Sequence, residues 1–444
     1  MADGIDYTVS RRQMLARTIA GLAVAGVPEW FSQASIAGER ELDAQLPKKV
    51  FGPNDQINVG AIGVGGRKGG YRQGMGDTQR IGGQHGVKIV AICDLDEVHR
   101  NDAADYFGPE CSKIKDFREL IARKDIDAVV IGTPDHWHVP IAMAALKAGK
   151  HVYCEKPLTL YIEQGKKLVK QYKASKQVFQ VGSQQRSDQR FRLACELVRN
   201  GRIGKIHRVE AHLPTGPIGG PFPVEPEPKD LDWDMWLGPA PKVPYTHERV
   251  HGVFRWWLDY SGGNMTDWGA HHNDIAQWGL GTDRSGPVSV QAYGKGNNIG
   301  ENCYTTFPEF DIDYTYADGR VLHTTNKGEN GVEFFGEKGS IFVSRSTIRA
   351  SDQALIDEPL PANATHLYES NDHHRNFIEC IRANKPAICD AEIGHRSASV
   401  CHLGNISLRL GGRKLNWDPE KEEFKGDKEA QAMVSRVQRK PWAV

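Results

Sequence analysis

The chain has 444 residues, more than one ordinary domain, and a hydrophobic content of 39% that is ample for sizeable cores. Basic and acidic residues both number 56, so no charge excess draws it to nucleic acid or to an anionic membrane. Eight cysteines lie scattered without Cys-x-x-Cys pairs, which indicates neither a zinc ribbon nor a disulfide framework.

In chain order, Ser10-Arg11-Arg12-Gln13-Met14-Leu15 precedes a mildly hydrophobic stretch over 16–27 and small residues around 34–37. This matches a twin-arginine export signal cleaved after Ala34 or Ala37, and predicts a periplasmic or secreted protein. Residues 1–37 are read as this signal and 38–55 as a polar arm. No segment approaches 18 consecutive apolar residues, so no membrane span is expected.

At 57–62 a hydrophobic strand runs into a turn containing Gly63, Gly65 and Gly66. Such a turn sets a pyrophosphate on a helix N-terminus, where free N–H groups and the helix dipole favour the anion. The next apolar run, 87–93, ends in Asp94, where the ribose hydroxyls of a dinucleotide would be held. The pattern departs from G-x-G-x-x-G because Lys68 stands where the third glycine belongs. Apolar runs at 126–133, 150–154 and 177–182 alternate with helical stretches at 117–124, 140–148 and 160–175. Short buried runs spaced by helices predict a parallel Rossmann sheet over 56–184.

Beyond Gln185 the texture changes. Residues 191–200 read as a helix, 213–250 as a long functional loop, and 205–213, 287–296, 303–316, 320–326, 331–336 and 339–344 as strands. Hairpin-like succession predicts a large, mostly antiparallel sheet. With helices at 371–383 and 393–410, this makes an α+β domain over 185–420, followed by a charged tail over 421–444. Strand residues Val332-Glu333-Phe334-Phe335 leave apolar side chains to cover, predicting a homodimer or homotetramer through the open sheet face.

Two segments carry chemistry. Glu155-Lys156-Pro157 closes the 150–154 strand and sets Lys156 at a strand's carboxyl end, where ligands of open α/β sheets bind. Further on, Asp267, His271 and Asp274 share one helix face by i+4 and i+7 spacing, a carboxylate one turn from an imidazole that titrates near neutrality. Three histidine groups, His136 with His138, His271 with His272, and His373 with His374, invite a metal reading if the fold brings them together. No metal is expected.

The glycine turn, the Thr133-Pro134-Asp135-His136-Trp137-His138 run, the Glu155-Lys156-Pro157 triplet and Asp267-x-Gly-x-His271-x-x-Asp274 occur in this order. Together they resemble the glucose–fructose oxidoreductase and inositol dehydrogenase family (Gfo/Idh/MocA), from about residue 56 to at least 410. The 231–238 loop resembles that of secreted bacterial members. The resemblance implies hydride transfer between a sugar or cyclitol carbon and a nicotinamide, with His271 as base, Lys156 as the cation at the developing alkoxide, and Asp267 as orienter or hydroxyl ligand. It implies a cofactor site from Gly63, Gly65, Gly66, Arg67 and Asp94. Thr133, Pro134, His138, Glu155, Lys156 and Gln184 complete that site, with His138 bordering the nicotinamide. Asp94 favours NAD over NADP because it would repel a 2′-phosphate, with Arg67 and Arg100 weighing the other way. Arg186, Arg255, Trp256, Tyr260 and His272 are the candidate sugar ligands beside Asp267 and His271. A second reading is a glycoside-cleaving enzyme that oxidises transiently and eliminates, with Tyr260, His272 or Asp259 as an added base. A third is a non-catalytic sugar-binding protein.

Overall fold

The computed structural model describes residues 26–35, 56–66, 72–297 and 300–442. The twin-arginine motif, the arm at 38–55, and Arg67 and Lys68 lie outside them.

Strands β1 (Ile57–Ile62), β2 (Val87–Cys93), β3 (Ser112–Ile114), β4 (Ala128–Ile131), β5 (His151–Cys154) and β6 (Phe179–Val181) form one sheet in the order β3-β2-β1-β4-β5-β6. Every pair is parallel. The strands read as unbroken apolar runs because helices cover both faces: α1 (Gln73–Gly82), α2 (Glu97–Phe107), α3 (Phe117–Ala122), α4 (Asp135–Lys147) and α5 (Ile162–Ala174). Asp96 and Asp116 cap α2 and α3 by accepting from the N–H groups of His99 and Arg118. The strand order reverses between β1 and β4, which leaves a crevice beyond their carboxyl ends.

Helix α6 (Gln189–Arg199) leads into the second domain, whose long loop holds α7 (Trp233–Leu237). Next come α8 (Asn264–Asp267) and α9 (Gly269–Leu280), then α10 (His373–Ala383) and α11 (Ala391–Arg409) after most of the strands. The sheet contains β7 (Ile206–His212), β8 (Ser289–Lys295), β9 (Glu309–Thr315), β10 (Val321–Thr325), β11 (Gly331–Gly336), β12 (Gly339–Val343), β13 (Ile348–Ala350), β14 (Leu415–Asp418) and β15 (Glu423–Phe424). Its order is β13-β12-β11-β7-β10-β9-β8-β14-β15, antiparallel except for the parallel pair β7 and β10. The architecture is therefore a Rossmann layer plus a mixed, mostly antiparallel sheet.

Helices α6, α9 and α11 cover one face of the large sheet and bury Val209, Ile312, Val332 and Phe334. The opposite face is charged, with ion pairs Arg208–Glu210 at 2.6 Å, Lys327–Asp311 at 2.7 Å and His323–Asp313 at 2.8 Å. This corrects the reason given for self-association: strand alternation turns Val332 and Phe334 inward and sends only Glu333 and the half-buried Phe335 outward.

Three segments cross the sequence-drawn boundaries. Phe377 and Ile378 of α10, and Ile388, Cys389 and Ile393 at the start of α11, join the cores of the Rossmann layer. The tail runs back from the large sheet, where Arg413 pairs with Asp427 at 3.1 Å, and Val434 accepts from the Glu163 N–H. It ends with Trp442 edge-on to Trp137 at 5.4 Å. Residues 29–35, read as the end of a leader, are helical; Phe31 is buried with Val27 in the large-sheet core under the Arg192 guanidinium. Among the described residues no helix is long and apolar enough to cross a membrane.

Candidate active site

After β1 the chain turns through Gly63 and Gly65 at φ of 70° and 62°, a left-handed backbone that glycine adopts freely. A side chain on Gly63 would also lie 2.4 Å from the Thr133 methyl. Gly65 donates its N–H to Asp94 Oδ2 at 3.0 Å, and Gly66 ends the described part of the turn. The third glycine sits not at Lys68 but at Gly74, in the first turn of α1. A Cβ there would lie 2.5 Å from the Gly63 carbonyl, and one on Gly132 would lie 2.6 Å from the Gly74 Cα. Helix α1 thus docks backbone to backbone on β1 and β4 after a longer turn than the motif allows, and a glycine inside an otherwise helical stretch was the only sequence signal.

Gly63, Gly65, Asp94, Thr133, Pro134 and Trp137 line the crevice. These residues fit a dinucleotide: a side-chain-free turn, a helix N-terminus, and a carboxylate at the end of β2. The buried Thr133 Oγ1 has no hydrogen-bond partner among the described residues, leaving a polar atom for a ligand to satisfy.

Lys156 follows β5 and donates from Nζ to Asp267 Oδ1 at 2.6 Å and to the Asp267 carbonyl at 3.2 Å. Arg255 Nε lies 3.2 Å from the same oxygen. Burial alone would raise the Asp267 pKa, but Lys156 and Arg255 overcome it and hold the carboxyl down to about 2. Asp267 ends α8, the helix is interrupted at Trp268, and His271 stands in the first turn of α9. Asp267, Trp268 and His271 face one cleft of about 460 Å³ with Lys156, Gln184 and Arg345. Burial, then Lys156 and Arg345, push the His271 pKa well below its ordinary value, and its buried Nδ1 has no partner among the described residues.

The remaining cofactor candidates, His138 and Glu155, line the small cavity beside Lys156 and Asp267. His138 does not face the crevice as a free ring, because its two nitrogens lie 2.8 Å from the carbonyls of Pro157 and Thr133 and tie the two turns together. Glu155 is buried; its Oε1 accepts from Gln184 Nε2 at 3.0 Å, and burial pushes its pKa well up. Gly182 makes room for it, since a Cβ there would lie 2.1 Å from Glu155 Oε1. Beneath it Asp77, raised by burial to about 6, accepts from His374 Nε2 at 2.9 Å.

Several substrate candidates are corrected. Arg186 is 1% exposed and clamps Asp274 through two bonds of 2.7 and 2.8 Å and Asp283 through a third of 3.1 Å. Asp274 lies further along α9, 1% exposed, inside the core rather than at the cleft. Tyr260 is fully buried, with its hydroxyl on Arg249 at 3.1 Å, and Trp256 packs on the same aromatic cluster under the long loop. His272 turns away to Asn330 Oδ1 at 2.6 Å. Only Arg255 of these reaches the cleft. The three histidine groups do not converge either, since His136 bonds the Trp236 carbonyl, while His373 bonds Ser187 and the Val181 carbonyl. A grouping the sequence reading overlooked, Asp96, His99 and His251, brings its ligand atoms within 4.8 Å at the crevice mouth. Arg345, in the turn between β12 and β13, had no sequence signal at all.

Family models for an oxidoreductase family match both parts of this architecture. The NAD-binding Rossmann fold covers residues 57–183 and the C-terminal alpha/beta domain covers 220–444. The chain belongs to the Gfo/Idh/MocA oxidoreductase family. Its first domain is that family's NAD-binding Rossmann fold. Among family relatives, the chain is 24% identical to a myo-inositol 2-dehydrogenase of Thermotoga maritima over 79% of this chain and 96% of that protein. It is 27% identical to a glycosyl hydrolase family 109 protein of Shewanella over 46% of each chain. A solved levoglucosan dehydrogenase in complex with NADH and levoglucosan shares the fold, with a TM-score of 0.58 and 20% identity over 81% of this chain and 99% of that one.

Proposed function

We propose that this protein transfers hydride between a ring carbon of a sugar or glycoside and a tightly held NAD. The observation that carries the reading is the convergence of Lys156, Asp267 and His271 on one cleft. A small cavity lined by Thr133, Lys156 and Asp267 joins that cleft to the dinucleotide crevice. When bound, NAD supplies the hydride acceptor. Lys156 donates from Nζ to the substrate hydroxyl oxygen and stabilises the negative charge growing there. Asp267 aims that ammonium, and Arg255 anchors Asp267. His271, kept neutral by burial, takes the hydroxyl proton on the ring nitrogen facing the cleft. Trp268 offers a flat apolar face to the C–H groups of the ring.

The reading by oxidation and elimination, which the family 109 likeness keeps in view, needs a second base. Tyr260 and His272 are buried and hydrogen-bonded, and Asp259 lines a separate cavity. Asp188 lines the cleft, but Arg190 holds it at 2.5 Å. Simple hydride transfer is therefore favoured. Absorbance at 340 nm with a panel of sugars and glycosides, paired with mass spectrometry of products, tests it. A keto-sugar formed as NADH appears supports the reading, and a free aglycone without net NADH favours elimination. The Arg11-Arg12 motif carries the further proposal of twin-arginine export to the periplasm. Cell fractionation of the wild type and of Arg11→Lys/Arg12→Lys checks it, with cytoplasmic retention expected of the variant.

A further inference from the structure

The chain carries no net charge, yet its cleft is cationic. Lys156 and four arginines line it against two carboxylates, Asp188 and Asp267. Both carboxylates are engaged, Asp267 by Lys156 and Arg255, Asp188 by Arg190. Arg345 differs from the others. Its guanidinium lies 4.5 Å over the Trp268 ring, and among the described residues no carboxylate comes within 4.0 Å of it. With the Gln185 amide turned to its favourable orientation, that side chain's oxygen accepts from Arg345 Nε at 3.2 Å, leaving the outer N–H groups of the fork for another acceptor. Burial depresses the Arg345 pKa, and the more distant Asp267, Asp188 and Glu155 only partly offset it. The cofactor pyrophosphate does not answer this charge, because the glycine turn from Gly63 to Gly65 lines the crevice and not the cleft.

We infer that the substrate of this cleft is an acidic sugar, whose carboxylate or sulfate is held by the Arg345 guanidinium. The inference rests on the hydride-transfer reading for the identity of the ring, and it adds the charge of its substituent. A planar fork of donors suits either oxyanion through two parallel hydrogen bonds.

The test is calorimetric titration of the full-length, NAD-loaded protein with methyl glucoside, methyl glucuronide and glucose 6-sulfate. At least one acidic ligand is expected to bind about tenfold or more tightly than the neutral one, as for one charge-assisted contact. The preference of glucuronide over sulfate, or the reverse, identifies the anion. Arg345→Gln should erase the acidic preference and Arg345→Lys should keep part of it. Equal or tighter binding of the neutral glycoside, or an acidic preference that survives Arg345→Gln, overturns the inference. Absorbance at 340 nm with the same ligands reads the hydride step separately. Neutral sugar oxidised with no acidic preference sinks this inference alone, whereas tight acidic binding with no NADH from any sugar sinks the redox reading alone.

Discussion

His271 and His272 are adjacent and both buried, yet only one faces the cleft. Neighbouring helical positions point about 100° apart, and the second imidazole is spent on Asn330. His271→Ala is expected to lower the hydride-transfer rate by about 10²–10⁴-fold while leaving NAD bound. His272→Ala should retain most of the rate and lose some stability. Stopped-flow absorbance at 340 nm with parallel NAD quantitation separates the two. Because burial and nearby cations hold the His271 pKa well below 6.5, its neutral form persists as the medium is acidified. The rate should therefore stay level as pH falls through 6.5 and drop only in clearly more acidic buffer; a midpoint at 6.5 would sink the assignment. At this scale Lys156, Asp267 and His271 were readable because their chemistry and spacing are local. Arg345 was not, since what sets it over Trp268 is a turn some 75 residues downstream.

Elements were legible where one periodicity governed them. The buried strands of the Rossmann sheet read as apolar runs, and β1 and β2 fall at the predicted residues. Helices α1 and α2 went unread because neither shows a clean apolar stripe: α1 buries Gly74, Asp77 and Thr78 beside Met75 and Ile81, while α2 buries little beyond Ala103 and Ala104. The aromatic run 256–260 misled for a related reason. A long loop must bury something, and Trp257 and Tyr260 fill its own cluster rather than a sugar platform. The docking of α1 gives the prediction at this scale. Gly74→Ala sets a methyl 2.5 Å from the Gly63 carbonyl, so helix and turn must separate. NAD affinity should fall markedly with little change in the large-sheet core, measured by fluorescence titration and by far-ultraviolet dichroism.

Across the whole molecule, burial of neutral histidines sets the response to acid. His136, His272 and His374 are pushed down to about 4, and His373 and His402 to about 3, all by desolvation first. The unfolded chain would protonate all five at about 6.5. It then holds more protons than the native state between those limits, and stability is lost as pH falls below 6.5. Asp77 and Asp135 act oppositely, raised by burial to about 6 and about 7 and protonated when folded. Of these groups the depressed histidines outnumber the raised carboxyls, so stability falls as the medium is acidified below 6.5. Chemical denaturation at pH 7, 6 and 5 should show that loss, and a flat profile would contradict it. The charged outer face of the large sheet makes a second expectation. We propose that copies associate through this face, so light scattering across micromolar concentrations should report a dimer or tetramer, and a monomer mass would count against it. Finally, the tail from Asp427 to Trp442 is a tie-bar between two rigid layers, pinned at Arg413 on one and at Trp137 on the other. Any hinge that swings the layers apart must first peel it off, so one end of the leverage holding the crevice shut bears on Trp137 in the crevice wall and the other on the large sheet. A chain ending at residue 427 should fold and still take up NAD, and should let it go faster in a dilution chase.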